Sequence, residues 1–161
     1  MIIQETDTNN GLLVFRNSGK VYAEGLGLEY RYQDPEGFQG RVSYTLQRVQ
    51  DDLSGLRLVD SPQQLLKASF IAPLLEDKLS ASAEFQYSGD SLGYNGGQSP
   101  EYAVVNFKLH SQDLGMEGLE GTLAVYNLFD AKYSLPVANY PLRDTFPQNG
   151  LTLWAMIGYK L

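Results

Sequence analysis

The residue that first suggests catalysis is His110, since histidine is the usual general base near neutral pH and the commonest metal ligand. It is the only His in a chain of 161 residues that has no Cys. Neither a thiolate site nor a second imidazole can therefore be assembled around it, and a solvated polar role is expected. The acidic pairs Asp51 with Asp52 and Glu76 with Asp77, and the pair Arg143 with Asp144, stand in turn-rich stretches without a positioned nucleophile. They read as solvated loop charges and not as a calcium site. No catalytic residue, cofactor or metal is expected, and the chain is not read as an enzyme. The residues suited to recognition are Tyr94, Asn95, Tyr140 and Arg143, aromatic, amide and guanidinium groups in loops where they are possible ligand contacts.

Composition narrows the partners. A net charge of -7 and a pI near 4.6 lack the clustered Lys and Arg that displace phosphate counterions, so nucleic acid is not an expected partner. No run reaches the roughly 18 to 20 apolar residues of a membrane-spanning helix. The opening MIIQETDTNN has neither a basic n-region nor an apolar h-region, so no signal peptide is expected within the chain.

The elements that must position these residues are strands. From Phe38, the residues Gly40, Val42, Tyr44 and Leu46 share its face, and Gln39, Arg41, Ser43, Thr45 and Gln47 share the other. Leu79, Ala81, Ala83, Phe85 and Tyr87 oppose Ser80, Ser82, Glu84, Gln86 and Ser88 in the same way. Runs of this kind recur through Leu66–Ala72, Ala103–His110 and Leu151–Leu161, and further strands are expected over Leu119–Phe129 and over Leu12–Tyr32, the latter bulged near Asn17-Ser18-Gly19. That makes about seven long strands and no helix. Their connections alternate: Asp34–Gly37 and Leu75–Asp77 are tight, Ser111–Gly118 is intermediate, and Asp51–Pro62, Gly89–Pro100 and Ala131–Gly150 are long. Short turns at one end and long loops at the other are the habit of transmembrane barrels.

A soluble β-sandwich alternates too, because each of its sheets buries one face and wets the other. Three details favour the membrane. Aromatic residues sit at the ends of the apolar faces, with Tyr30, Tyr32 and Phe38 near a tight turn and Phe85 and Tyr87 near a long loop. The apolar faces use small residues such as Gly40, Ala68, Ala81, Ala83 and Ala103, where a sandwich core prefers Val, Ile and Leu. The strands also run near the length needed to cross hydrocarbon, longer than the usual strand of a soluble sheet.

The segment AVYNLFDAKY, Ala124 to Tyr133, resembles the last-but-one strand of TonB-dependent receptors, with Asn127, Leu128, Phe129, Asp130 and Tyr133 matching N-L-F-D-x-x-Y. The ending FPQNGLTLWAMIGYKL is similar to that family's P-x-x-G loop and last strand through Pro147, Gly150 and Tyr159. It departs from the family at Leu151, where Arg is usual, and at Leu161, where Phe is usual. Arg16 to Tyr30 resembles the family's N-x-G-x-x-x-x-G-x-E strand, and Ser61 to Leu74 its S-P-x-x-x-x-K strand start.

The resemblance implies an all-β, antiparallel up-and-down meander of about seven long strands that forms part of a transmembrane β-barrel in the bacterial outer membrane. Residues 1–161 are expected to be the carboxy-terminal portion of that barrel, since the plug and the remaining strands of a barrel of about 22 have no counterpart here. The implied function is the wall and extracellular loops of an active-transport receptor for a scarce nutrient such as a siderophore-iron complex or cobalamin. Its implied partners are outer-membrane lipid, the rest of the barrel and its plug, TonB acting through that plug, and the barrel-assembly machinery, which would read Ile157, Tyr159 and Leu161. Asn127, Leu128, Phe129, Asp130 and Tyr133 are given a structural role. The inward set of Gln39, Arg41, Thr45, Gln47, Lys67, Ser80, Glu84, Gln86, Asn106 and Lys108 is read equally as a plug or substrate contact and as a wet wall. A self-associating small pore or structural barrel, a soluble β-sandwich binding module and a barrel-embedded hydrolase remain alternatives.

Overall fold

Strict alternation fixes how such strands can pair. A strand that is oily on one face is best placed when its neighbours keep the same phase, and a slip of one residue would reverse every side chain. In the computed structural model, which describes residues 2–17, 19–52, 54–75, 78–137 and 142–160, that phase is held throughout. The strands are β1 (Ile2–Thr6), β2 (Leu13–Asn17), β3 (Val21–Gln33), β4 (Gln39–Asp51), β5 (Gln64–Leu75), β6 (Leu79–Ser88), β7 (Ser91–Leu92), β8 (Gln98–Ser99), β9 (Tyr102–Ser111), β10 (Leu119–Tyr126), β11 (Ser134–Pro136), β12 (Thr145–Pro147) and β13 (Thr152–Tyr159). Seven of them form one antiparallel sheet in the order β13-β10-β9-β6-β5-β4-β3, each long strand beside its sequence neighbour.

The registers keep like with like. Tyr44 lies opposite Leu28 and Leu66, Ala68 opposite Val42 and Phe85, and Val125 opposite Phe107 and Leu153. On the other face Arg41 meets Arg31 and Ser69, Glu84 meets Ser69 and Asn106, and His110 meets Ser80 and Thr122.

The apolar face is the uncovered one. Leu26, Leu28, Tyr30, Leu123, Leu153 and Ile157 are each at least 60% exposed. The buried apolar side chains, Val104 and Ala124, lie on the polar face, and the other buried side chains are Ser88, Ser91, Ser99, Thr122 and Asn127. Among the described residues no second sheet covers the oily side, and the remaining sheets are three two-stranded hairpins, β1-β2, β7-β8 and β11-β12. That arrangement overturns the sandwich alternative, whose core would be this face. A continuous apolar wall of this size belongs against lipid or another apolar surface.

The connections sort by end. Asp34 closes the 34–38 turn by accepting the Phe38 N–H at 3.0 Å, with Gly37 at φ 91°. The long connections, 52–63, 89–101 and 127–151, all leave the opposite end. The expected single strand over Leu12–Tyr32 is corrected: β2 turns back on β1, and β3 begins afresh at Val21. Gly19, at φ 76°, makes a break where a bulge was expected. The register irregularity falls at Pro73/Leu75 instead, where proline has no N–H to give the ladder. The strand over Leu119–Phe129 ends earlier, at Tyr126, because Asn127 takes φ 51°.

Two glycines on the polar face of β3 differ in what surrounds them. A Cβ on Gly25 would stand 2.6 Å from the Leu46 carbonyl oxygen, while one on Gly27 meets nothing within 4 Å. Gly25→Ala is expected to destabilise the refolded protein by about 1–3 kcal/mol in urea unfolding. Gly27→Ala should be neutral or stabilising by up to about 1 kcal/mol, and equal effects would contradict the register.

Candidate functional site

The polar face carries the first group of candidates. Glu29 on β3 pairs with Arg41 on β4 at 2.6 Å and also with Arg31. Beside this cluster, Arg41, Ser43, Lys67, Ser69, Glu84, Gln86 and Asn106 surround a shallow depression of about 280 Å³. Asn106 Nδ2 donates to Glu84 at 3.5 Å, and Gln47 Nε2 donates to the Pro62 carbonyl at 2.9 Å. His110 is half-buried and bonded through Nδ1 to Thr122 Oγ1 at 2.9 Å, so it has a fixed partner and is not simply solvated. Among the described residues no three His, Asp or Glu side chains converge as metal ligands would.

At the long-loop end the three connections are tied together. Arg57 pairs with Asp90 at 2.6 Å, and the Asp60 N–H donates to the Leu92 carbonyl at 2.9 Å. Asp144 enters the turn between Gly93 and Gly97, where its carboxylate accepts the Asn95 N–H at 2.6 Å. The Tyr94 N–H donates to the Val137 carbonyl at 3.0 Å, and the Ser99 hydroxyl to the Ser134 carbonyl at 2.7 Å. A Cβ on Gly93 would fall 2.5 Å from the Asp144 carbonyl oxygen, so this approach requires glycine. Asp60 is partly enclosed here, and the loss of water raises its carboxyl above the ordinary value.

Asn127 organises the exit from β10. Its Oδ1 accepts the Ala131 N–H at 2.9 Å, and its Nδ2 donates to the carbonyls of Ala131 at 2.9 Å and Asn149 at 3.1 Å. Asp130, at φ 52°, accepts the Leu151 N–H at 2.9 Å and pairs with Lys132 at 2.8 Å. The Lys132 ammonium, helped by the Leu151 N–H, holds the Asp130 carboxyl below the usual carboxylate range. Tyr133 stacks on Tyr102 with centroids 4.4 Å apart, and desolvation raises its phenol. Below this motif lies a second depression of about 370 Å³, walled by Gln86, Tyr102, Asn106, Tyr126, Tyr133, Gln148 and Asn149 and free of charged side chains. Amides and phenol rings of this kind can hydrogen-bond and stack on a polar, uncharged group.

No family model matches the sequence, and no curated protein matches it. Solved structures do. The ferripyoverdine receptor of the outer membrane of Pseudomonas aeruginosa superposes with a TM-score of 0.72 at 20% identity, over 98% of this chain and 23% of that one. The fold is that of part of such a β-barrel. The FrpB iron transporter from Neisseria meningitidis matches at TM-score 0.71 and 17% identity, over 99% of this chain and 27% of that one. The copper transporter OprC matches at 0.73 and 15%, over 99% and 26%. The chain thus spans about a quarter of the length of the receptors it matches. The tied loops form a rim at one end of the sheet, between its apolar and polar faces.

The rim brings together some of the expected recognition residues and separates others. Tyr94 and Asn95 meet the 127–151 connection through their backbone, while Arg143 stays exposed beside Asp144. Tyr140, Leu161, Glu76 and Asp77 lie outside the described residues. Ile157 and Tyr159 are exposed on the apolar face of β13, opposite Gly121 and Leu119. Asp144, expected to be solvated, is corrected to a loop tie. Asp51 is likewise engaged, accepting from the backbone and hydroxyl of Ser54 at 2.8 Å. The one sequence signal for the Asp144 tie was the glycine pattern G-Y-N-G-G at 93–97, a turn open to close backbone approach.

Two predictions follow from Asn127 and Asp130. Asn127→Ala removes three side-chain hydrogen bonds at a buried site and is expected to cost about 2–4 kcal/mol, read as a lower unfolding midpoint and faster proteolysis within 127–151. Because the folded Asp130 value is depressed, its contribution is complete above the ordinary carboxylate value of about 3.9 and is lost as pH falls through the lower folded value. Protection of the Leu151 amide, measured against its intrinsic exchange rate, should fall only in that acid window, and Asp130→Asn should abolish the step.

Proposed function

We propose that this chain is the carboxy-terminal part of the wall and outer loops of a TonB-dependent outer-membrane receptor, one that admits a scarce nutrient such as a siderophore-iron complex or cobalamin. The observation that carries this reading is an apolar face held in phase across seven strands and left uncovered, on a sheet whose edges, β3 and β13, are not paired with each other. In lipid every backbone N–H and C=O needs a partner, so both edges call for further strands. The motif around Asn127 and Asp130 and the ending through Tyr159 support the same family.

In this reading outer-membrane lipid covers the oily side, and the remaining strands pair with β3 and β13. A plug then occupies the lumen against Arg41, Lys67, Glu84 and Lys108, with TonB acting through it. Ile157, Tyr159 and Leu161 form the signal for barrel assembly. The receptors that share the fold carry ferripyoverdine, iron and copper by their own descriptions, so the nutrient has to come from the rim and lumen residues. A self-associating pore is the second reading, favoured by the two edges, which can pair with edges of other copies.

The test uses the whole reading frame expressed in outer membranes. Single cysteines at Ser43 and Ser69 are expected to react with a membrane-impermeant maleimide at least tenfold faster than cysteines at Val42 and Ala68, since a charged reagent is excluded from hydrocarbon. Equal labelling of both faces, or a monomer that stays in solution without detergent, would sink the membrane reading. An unboiled oligomer of 161-residue chains would select the pore.

A further inference from the structure

On the lipid side, next to the 34–38 turn, the wall is not flat. Gly40 and Ala68 form the floor of a groove of about 430 Å³ whose sides include Tyr30, Tyr32, Phe70 and Phe85. The register explains it. Gly40 stands between Tyr32 and Phe70, and Ala68 between Val42 and Phe85, so three rings and a branched side chain flank a missing and a minimal one. Gly40 on β4 and Ala68 on β5 are diagonal neighbours, about 7–8 Å apart, so this two-position floor matches the upper segment of a single acyl chain and is too short for a peptide strand.

The mouth of the groove is acidic. The turn that closes it is Asp34-Pro35-Glu36-Gly37, and it has no cation of its own. Tyr32 Oη donates to Asp34 at 3.1 Å, which marks the boundary between ring and water, and Glu36 is exposed just beyond it. An anionic headgroup would be repelled at this point, whereas a primary ammonium could bond both carboxylates.

We propose that this groove seats one phospholipid of the periplasmic leaflet with an amine headgroup, its acyl chain on Gly40 and Ala68 and its ammonium at Asp34 and Glu36. The assignment rests on the barrel reading given above, because it requires lipid on this face.

The experiment takes the intact receptor into nanodiscs of equal dioleoyl-phosphatidylethanolamine and dioleoyl-phosphatidylglycerol and counts retained lipids by native mass spectrometry. The wild type should hold one phosphatidylethanolamine that Gly40→Leu loses. A Cβ at position 40 meets nothing closer than 3.8 Å, so the substitution fills the groove without entering the backbone. Ala68→Leu is the second filling variant, and Ala155→Leu on the lipid side of β13 is the control that keeps the lipid. Asp34→Asn combined with Glu36→Gln should reduce the preference for the amine lipid over the anionic one by about fivefold or more, as one or two interfacial charges would. A lipid count unchanged in both filling variants, or equal retention of the two lipids by the wild type, overturns the proposal. A dimer that Gly40→Leu dissolves assigns the groove to a second copy and also overturns it. Failure of the barrel reading itself shows separately, as loss of heat-modifiable migration in the wild type.

Discussion

Everything in this molecule depends on lateral hydrogen bonding between strands that must stay in phase. Where one face meets hydrocarbon, water cannot satisfy a backbone N–H or C=O, so every such group has to find a partner in the next strand. The side chains then follow from the pleat: one residue of slip would put Arg41, Lys67 and Glu84 on the apolar face and Leu46, Phe70 and Phe85 on the polar one. The seven-stranded register is therefore set by its two faces together, and no large buried core is needed to hold it. The described apolar side chains that are buried, Val104 and Ala124, are on the wet face.

Much of the wall was legible in the sequence because period-two alternation is a direct print of the pleat. The runs from Phe38 and from Lys78 locate β4 and β6 and assign their faces correctly. Reading failed where alternation carries no information. Leu12 to Tyr32 keeps a strand-like composition across Asn17-Ser18-Gly19, yet the positive φ of Gly19 sends β2 into its own hairpin. The hairpins β7-β8 and β11-β12 are two or three residues per strand, too short for any period to show.

The rim was harder still, since its contacts join residues distant in the chain. Nothing local distinguishes Asp144 from Asp52, and only the turn at Gly93–Gly97 makes a place for its carboxylate. Asn127 was easier to read, because asparagine tolerates a left-handed backbone while its amide bonds the following turn. Its bonds to Ala131 and Asn149 draw the two ends of a long connection together and bring β13 in beside β10.

The two ends of the wall are built unequally. At one end adjacent strands are joined by short turns, with Asp34 serving only its own hairpin and one tie between turns, where Asp113 pairs with Lys78 and the Gln112 N–H donates to the Lys78 carbonyl. At the other, Arg57, Ser99 and Asp144 cross-link successive connections. Such a wall has a gradient of stiffness along its axis, like a comb bound at the spine. Side-chain ties between separate connections are thus concentrated at the loop end, which binds three connections into one unit.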